Sequence, residues 1–247
     1  MTQSELNNVA NPVGIVDPRW KDLYTIGGIT AIVMEIVLVL SIAAVFIWPY
    51  APGQISTESI FLLLQNDRLG GLISLDFLLV VGNLLGILLF LALYVSLKPV
   101  NESYALIALA LGLVADVLII PARPISELFT LSDLYAAATT EAARSHYLAA
   151  GEALLVLFNG TGWFTNTLLG GLSLLISSLL MLHSNVFGRL TAYVGIATNI
   201  AVCGFFIPGI GLLLLFLSLP GYIIWYIQLA RTFLQLGRRQ TQSPGAT

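Results

Sequence analysis

Three acidic side chains stand inside long apolar runs of the sequence, where a charge needs a partner. Glu35 lies about halfway along the first run, and Asp76 and Asp116 lie within the second and third, toward the side we assign as outer. A charge at the centre of a bilayer costs about 2.5–3.5 kcal/mol on insertion scales. We therefore expect all three carboxyl groups to face the interior of a helix bundle, where they are protonated, paired or hydrated.

Asp116 also begins a short polar stretch at the end of the third apolar run. Arg123 follows seven residues later on the same helical face, and Glu127 follows Arg123 at the spacing of a helical ion pair. Pro121 and Pro124 interrupt regular helix in this stretch. Arg123 either pairs with Asp116 or Glu127, or extends its charged end to the lipid headgroups. For Asp116, which lies too deep to reach water alone, we predict a partner.

Polar residues at a seven-residue spacing extend this pattern to other helices. Asp76 and Asn83 share one helical face, and Glu152, Asn159 and Asn166 repeat at the same interval. The spacing predicts that four helices direct polar groups into one outward-facing cavity. The alternative is a hydrogen-bonded network that only fixes the register of the helices. The candidate ligand-binding residues are Glu35, Asp76, Asn83, Asp116, Arg123, Glu127, Glu152, Asn159 and Asn166.

The sequence carries no recognisable catalytic signature beside these residues. His146 and His183 lie outside the apolar runs, so they cannot hold a haem between helices. A zinc site needs more nitrogen or sulfur ligands than two histidines and the single Cys203 supply. There is no Gly-x-Ser-x-Gly elbow and no Walker loop. We predict no catalytic residue, no metal site and no cofactor.

Composition places the chain among integral membrane proteins. Of the 247 residues, 57% are hydrophobic and 9% are charged, compared with about 25% charged in soluble domains. The mean hydropathy is +0.92. The net charge of -3 excludes a general basic surface for nucleic acid. The lipid bilayer is therefore the predicted partner of an all-α membrane protein.

Six segments are long and apolar enough to span a bilayer, which takes about 20 residues. An outer amphipathic helix is predicted at 140–158, between helices three and four, and the chain should bend near Gly160. Pro220 and Gly221 should bend the last span. Residues 1–22 are predicted to be a cytoplasmic segment, and residues 237–247 a disordered cytoplasmic tail. Together the spans form one domain over 23–236, at 23–48, 69–97, 103–120, 163–182, 190–207 and 210–236.

The basic residues predict the orientation of these spans. With both termini cytoplasmic, seven arginines and lysines lie inside and three lie outside. Small residues such as Gly82 and Gly86 have the spacing that lets helices approach closely. This surface serves either packing within the chain or a homodimer contact.

Several short stretches resemble one family of bacterial membrane proteins. They are Leu93 to Asn101, Tyr135 to Ala138, Phe187 to Leu190 and Leu219 to Tyr222, together with the acid Asp116 in helix three. In their order the chain resembles domain of unknown function 4386, a six-helix family, over nearly all residues after about residue 20. The resemblance implies a helix-three glutamate in a Leu-Val-Glu segment. Here the acid comes one residue later, about 100° around the helix. The resemblance implies a fold but no activity.

Taken together, the residues favour a non-enzymatic protein of the bacterial plasma membrane. It would bind a small ligand or cation in an outward-facing polar cavity, as a transporter or a sensor does. One alternative is an enzyme acting on a lipid or lipid-linked substrate at the outer interface, with Asp116 or Glu127 in acid–base roles and Arg123 near a phosphate. Another is a structural subunit of a membrane complex.

Overall fold

A computed structural model describes residues 17–47 and 55–239, apart from the side chains of Val45 and Arg239. The described residues form helices joined by turns and contain no β-strand, which confirms the predicted all-α class. The helices are α1 Lys21–Ile47, α2 Thr57–Asn66, α3 Arg68–Ser74, α4 Phe77–Leu97, α5 Glu102–Ile119, α6 Ile125–Ala137, α7 Glu141–Leu155, α8 Thr161–Met181, α9 Arg189–Cys203 and α10 Gly211–Arg239, with 3₁₀ turns at Pro18–Trp20, Val156–Asn159 and Gly204–Phe206.

Six helical segments in the described part of the chain are long and apolar enough to cross a membrane, as predicted. Four of them have limits within about five residues of the predicted spans, whereas the second begins at Phe77 instead of residue 69 and the fourth, which includes α7, begins at Glu141 instead of residue 163. The predicted last residue of span one, Trp48, lies outside the described residues. The last helix continues through Pro220 to Arg239. Residues 237–239 are therefore helical, whereas a disordered tail was predicted for 237–247. Residues 240–247 lie outside the described residues. The segments are Pro18–Ala44, Phe77–Leu97, Glu102–Ile119, Glu141–Met181, Arg189–Phe206 and Gly211–Arg238.

The second predicted span, 69–97, is divided in two. Helix α3 ends at Ser74 and α4 begins at Phe77, so Asp76 lies at a break and not two turns inside a helix. The backbone N–H of Asp76 donates to the carbonyl of Ile73, and the carbonyl of Asp76 accepts from Val80. Asp76 therefore closes one helix and opens the next. The backbone of Asp76 has a positive φ, in the left-handed region. Aspartate is one of the few non-glycine residues that adopts this conformation readily.

The connection between α5 and α8 contains one helix more than predicted. Besides α7, whose first turn is capped by the Thr140 side chain, the chain forms α6 directly after Pro124. Leu128 and Ser132 on α6 are buried, four residues apart, as one side of an amphipathic helix requires. Gly160 has an extended backbone between the 3₁₀ turn and α8, so the helix is interrupted where a bend is predicted.

The chain divides into two compact units. The first unit contains residues 17–35, 86–113 and 169–239 of the described chain, including all of α9 and α10. Its core is a large apolar cluster that includes the fully buried Trp225, Tyr24 and Phe233. Glycines allow its helices to approach closely: a Cβ on Gly27 would stand 2.5 Å from that of Ala92. Small residues on both helices thus allow their backbones to approach closely.

The second unit contains described residues 36–47, 55–85 and 114–168, including all of α2, α3, α6 and α7. Its apolar core is smaller and centres on Phe61, Leu128 and Phe158. Polar bonds link its helices as well. The Ser132 hydroxyl donates to the carbonyl of Phe61 at 2.9 Å, and the Gln65 amide donates to the carbonyl of Ser132 at 3.0 Å. The candidate polar residues other than Glu35 belong to this unit.

Candidate functional site

The site begins at the strained break between α3 and α4. Asp76 has a φ of 60°, the one positive value among non-glycine residues of the described chain. Such a backbone costs roughly 1–2 kcal/mol in a residue with a Cβ. Residues held in this region tend to occur at functional sites, where the surrounding structure imposes the conformation. At Asp76 the surrounding structure includes Arg123, which donates a hydrogen bond to the Asp76 carboxylate.

Arg123 is a buried cation enclosed by the second unit. Its side chain is 2% exposed, whereas that of Asp76 is 37% exposed. The guanidinium donates from Nε to Oδ2 of Asp76 at 2.9 Å and from Nη1 to the carbonyl of Ala122 at 3.1 Å. Its carbon Cζ lies 4.9 Å from the ring centre of Phe158 and 5.2 Å from that of Trp163. Both distances are within the range of a cation–π interaction.

These contacts decide between the two interpretations of Arg123. The side chain does not extend to a surface, and it pairs neither with Asp116 nor with Glu127 but with Asp76. Burial lowers the pKa of the Arg123 guanidinium, and the Asp76 carboxylate opposes that shift. An arginine nevertheless stays protonated in a protein. Asp76 and Arg123 therefore form an ion pair that ties the α3–α4 break to the segment after α5.

Two asparagines link three helices of the same unit. The Asn166 amide on α8 donates to Oδ1 of Asn83 on α4 at 2.8 Å and to the backbone carbonyl of Ala115 on α5 at 2.9 Å. The Asn83 amide donates to the carbonyl of Leu79 at 2.8 Å. Each asparagine thus has a polar partner, as expected for amides in an apolar environment. This part of the predicted polar stripe comes together.

Asp116 follows Ala115 directly and has no such partner. The residue is 6% exposed, and its oxygen Oδ2 is buried without a hydrogen bond in the described structure. The partner that we predicted for this oxygen is therefore missing. Its neighbours Ala115 and Ile119 are both fully buried. An isolated carboxylate is very costly in such an environment, so the group must be neutral, hydrated or bound to a cation.

Glu35 belongs to the first unit, on α1. Its oxygen Oε2 is also buried without a hydrogen bond among the described residues, although the side chain as a whole is only partly buried. The structure thus assigns the three intramembrane acids different states. Asp76 has a cationic partner, whereas Asp116 and Glu35 each have an oxygen without one.

The remaining candidates lie on the surface. Glu127 is exposed in the first turn of α6. Glu152 and Asn159 are exposed as well, so the predicted Glu152–Asn159–Asn166 stripe does not continue inward beyond Asn166. The reason is the interruption at Gly160, because the 3₁₀ turn and the extended glycine break the helical phase on which that stripe depended. Whether these residues bind a ligand stays a prediction.

Sequence reasoning missed Phe158 and Trp163, whose rings enclose Arg123. Their only signal is their position on either side of the break that contains Gly160. Aromatic residues at that level of a membrane protein are usually interpreted as interfacial anchors. Their contact with Arg123 depends on how two distant segments pack, which no local pattern reveals.

Among the described residues, no three histidine, cysteine, aspartate or glutamate side chains are grouped so that they could hold a metal ion. The class of the protein follows from the fold: it is a polytopic, all-α integral membrane protein. A scan against protein-family models found no match, and searches of curated proteins and solved structures found no similar protein. The resemblance to domain of unknown function 4386 therefore stays a prediction.

Proposed function

We propose that this protein binds a small cation or cationic ligand inside the membrane, as a transporter or a sensor does, and that Asp116 is the group that accepts it. The observation that carries the proposal is the buried Oδ2 of Asp116, which has no hydrogen bond among the described residues. A buried polar atom without a partner is uncommon in a native protein and is often explained by a role in binding or catalysis.

The surroundings of Asp116 support this role. Asn83 and Asn166 hold α4 and α8 against the carbonyl of Ala115, the residue before the acid. This rigid polar network keeps the backbone at Asp116 in place. Acids inside membrane helices are rare, and they mark ion paths and ligand sites in many membrane proteins. An acid that only fixed helix register would be expected to use both of its oxygens in hydrogen bonds.

The alternative of an interfacial lipid enzyme has less support. That hypothesis needs Arg123 near a phosphate, but its guanidinium is bonded to Asp76 and Ala122 and enclosed by two rings. It also needs Asp116 or Glu127 as acid or base at the mouth of an open cleft. Asp116 is only 6% exposed, and Arg123 pairs with Asp76 instead. Glu127 is exposed on α6 without a hydrogen bond to Arg123, and Asp76 is held as its counterion.

The proposal includes the orientation and location inferred from the sequence. The excess of basic residues on one side supports cytoplasmic termini and a site that opens outward. The family resemblance supports a bacterial plasma membrane. The partners in this proposal are the lipid bilayer and a small cation, and a homodimer is compatible with it.

A stability measurement across cations tests the proposal. Wild-type protein and Asp116→Asn would be purified in detergent, and their thermal denaturation midpoints measured in a pH series and in sodium, potassium and methylammonium chloride, with choline chloride as the reference. Asp133→Asn is the matched control, because Asp133 is an exposed acid of the same unit. A ligand at a hundred times its dissociation constant stabilises the folded state by about 2.7 kcal/mol.

We expect at least one of these cations, protons included, to raise the midpoint of wild type and Asp133→Asn but not that of Asp116→Asn. If no cation changes the midpoint in a way that depends on Asp116, the proposed function is wrong.

A further inference from the structure

We infer that the cation held by Asp116 is a proton, so that the second unit contains a carboxylic acid that binds and releases protons within the membrane. This inference rests on the proposed function and specifies its ligand. The burial of Asp116 leaves little space for a larger ligand. Oδ2 is buried, Asp116 keeps only 6% of its surface exposed, and both Ala115 and Ile119 are fully buried. A proton adds no heavy atom to such a site, whereas an ammonium group or a metal ion needs room.

The adjoining polar network offers few oxygen ligands to a metal ion. Metal cations such as calcium and magnesium are surrounded by about six or more oxygens. Two oxygens of the adjoining network already serve as acceptors: the carbonyl of Ala115 and Oδ1 of Asn83 both bind the Asn166 amide. Near Asp116, the described side chains form no group of three acidic, histidine or cysteine ligands. A proton needs a single oxygen.

Asp116 also has no counterion among the described residues. The parts of α1, α4, α5 and α8 that belong to the second unit carry no acid or base except Asp116 within the described residues. Asp76 and Arg123 flank these helical parts and are bonded to each other. The two acids of α1, Asp22 and Glu35, belong to the first unit. Since no free cation of the second unit's helices faces Asp116, protonation is the simplest way to remove its charge.

The reaction is a reversible protonation. The carboxylate of Asp116 takes a proton from a hydronium ion, which forms an O–H bond and leaves a water molecule, and it returns that proton to a water molecule when the site opens. No other reactant is involved. Each release exposes a charge that the closed site does not stabilise, so opening and proton loss are coupled. The same coupling lets proton binding drive a change of conformation.

Linkage gives the sign of the pH effect. A free aspartate in the unfolded chain loses its proton near pH 3.9, whereas the folded protein keeps the proton on Asp116 to higher pH in this proposal. The stabilisation is therefore complete at low pH and is lost as pH rises through the value at which the folded protein releases the proton. The wild-type midpoint should fall with rising pH relative to Asp116→Asn, which cannot titrate at this position.

Infrared spectroscopy of the carbonyl stretch tests the inference directly, because protonated carboxyl groups absorb apart from carboxylates. We expect a protonated-carboxyl band at neutral pH in wild type and in the control Asp133→Asn, and its loss in Asp116→Asn. Glu35→Gln separates any band of Glu35, whose Oε2 is also buried. Asp116→Glu keeps a carboxyl group, so its band should shift in frequency instead of disappearing. This variant tests whether the band belongs to residue 116 if Asp116→Asn does not fold.

The outcomes separate the two proposals. If wild type has no such band, or if Asp116→Asn retains it unchanged, the proton inference is wrong. A midpoint that responds to sodium, potassium or methylammonium through Asp116, without the band, would overturn the proton inference and leave the proposed function intact. No Asp116-dependent response to any cation, protons included, would overturn both.

Discussion

The two units of this protein bury different kinds of groups. The first unit fills its core with large apolar side chains such as Trp225 and Phe233. Its partly buried Tyr222 donates a hydrogen bond to Oδ1 of the buried Asn199 at 3.0 Å. The second unit has a smaller apolar core but buries a guanidinium and a carboxyl group. Apolar packing stabilises without specifying chemistry, whereas a buried charge is costly and is kept where it has a use. The contrast agrees with the proposed site at Asp116 in the second unit.

We expect the largest loss of stability from Asp76→Asn, which tests this contrast between the two units. This change removes the counterion of the buried Arg123 and leaves the backbone undisturbed, because asparagine also tolerates a positive φ. Breaking a buried pair by removing one partner costs about 3–5 kcal/mol. We expect a loss of this size in the free energy of unfolding, measured by denaturant titration in mixed micelles.

The control is again Asp133→Asn in the same unit. Asp133 lies 3.6 Å from Arg68, and both side chains are more than half exposed, so the change should alter stability by no more than about 0.5 kcal/mol. Equal losses for the two variants would mean that the buried pair contributes nothing special to the second unit.

A pair of glycine substitutions tests the packing side of the comparison. In the first unit, a Cβ on Gly195 would stand 2.5 Å from Nε1 of the fully buried Trp225 and closer still to Oγ of Ser178. Gly195→Ala should therefore cost about 1–3 kcal/mol through overpacking. In the second unit, a Cβ on Gly82 would meet only Cγ1 of Val37, at 3.8 Å. Gly82→Ala should be neutral or stabilising by about 0.5–1 kcal/mol.

Thermal denaturation of both glycine variants in the same detergent gives the sign of each effect. A loss for Gly82→Ala as large as that for Gly195→Ala would show that close packing matters equally in the two units, and the contrast would fail.

The smallest expected effect comes from the asparagine pair. A double-mutant cycle of Asn83→Ala and Asn166→Ala should give a coupling of about 0.6 kcal/mol, the average for hydrogen bonds between membrane helices. Asn166→Ala alone should cost more than Asn83→Ala, because the Asn166 amide also donates to the carbonyl of Ala115. The matched cycle in the first unit uses Asn199 and Tyr222. Zero coupling would contradict the role of the Asn83–Asn166 hydrogen bond in holding the backbone next to Asp116.

The fold was largely predictable because a membrane span needs only length and apolar composition. The six segments therefore emerge from the sequence, four of them within about five residues of their observed limits. The break at Asp76 was not predicted, since no proline or glycine marks it and an aspartate in the left-handed conformation has no local signal. Helix α6 was within reach, because Pro124 and the spacing of buried Leu128 and Ser132 indicate it.

The site was predictable only in its parts. Helical spacing singled out Asp76, Asn83, Asp116, Arg123 and Asn166, all of which belong to one unit. The same spacing failed for Glu152 and Asn159, because a seven-residue repeat has meaning only while the helix is regular, and here it is interrupted at Gly160.

The sequence by itself determined that this chain has six segments long and apolar enough to cross a membrane, and that Glu35 and Asp116 lie within two of them. Those properties depend on hydropathy and on the cost of a charge in lipid, which are additive along the chain. Tertiary structure alone decided that Arg123 pairs with Asp76 between the rings of Phe158 and Trp163, and that Asp116 keeps an oxygen without a partner. Pairing depends on which distant side chains come within about 3 Å, and only the packed helices determine that.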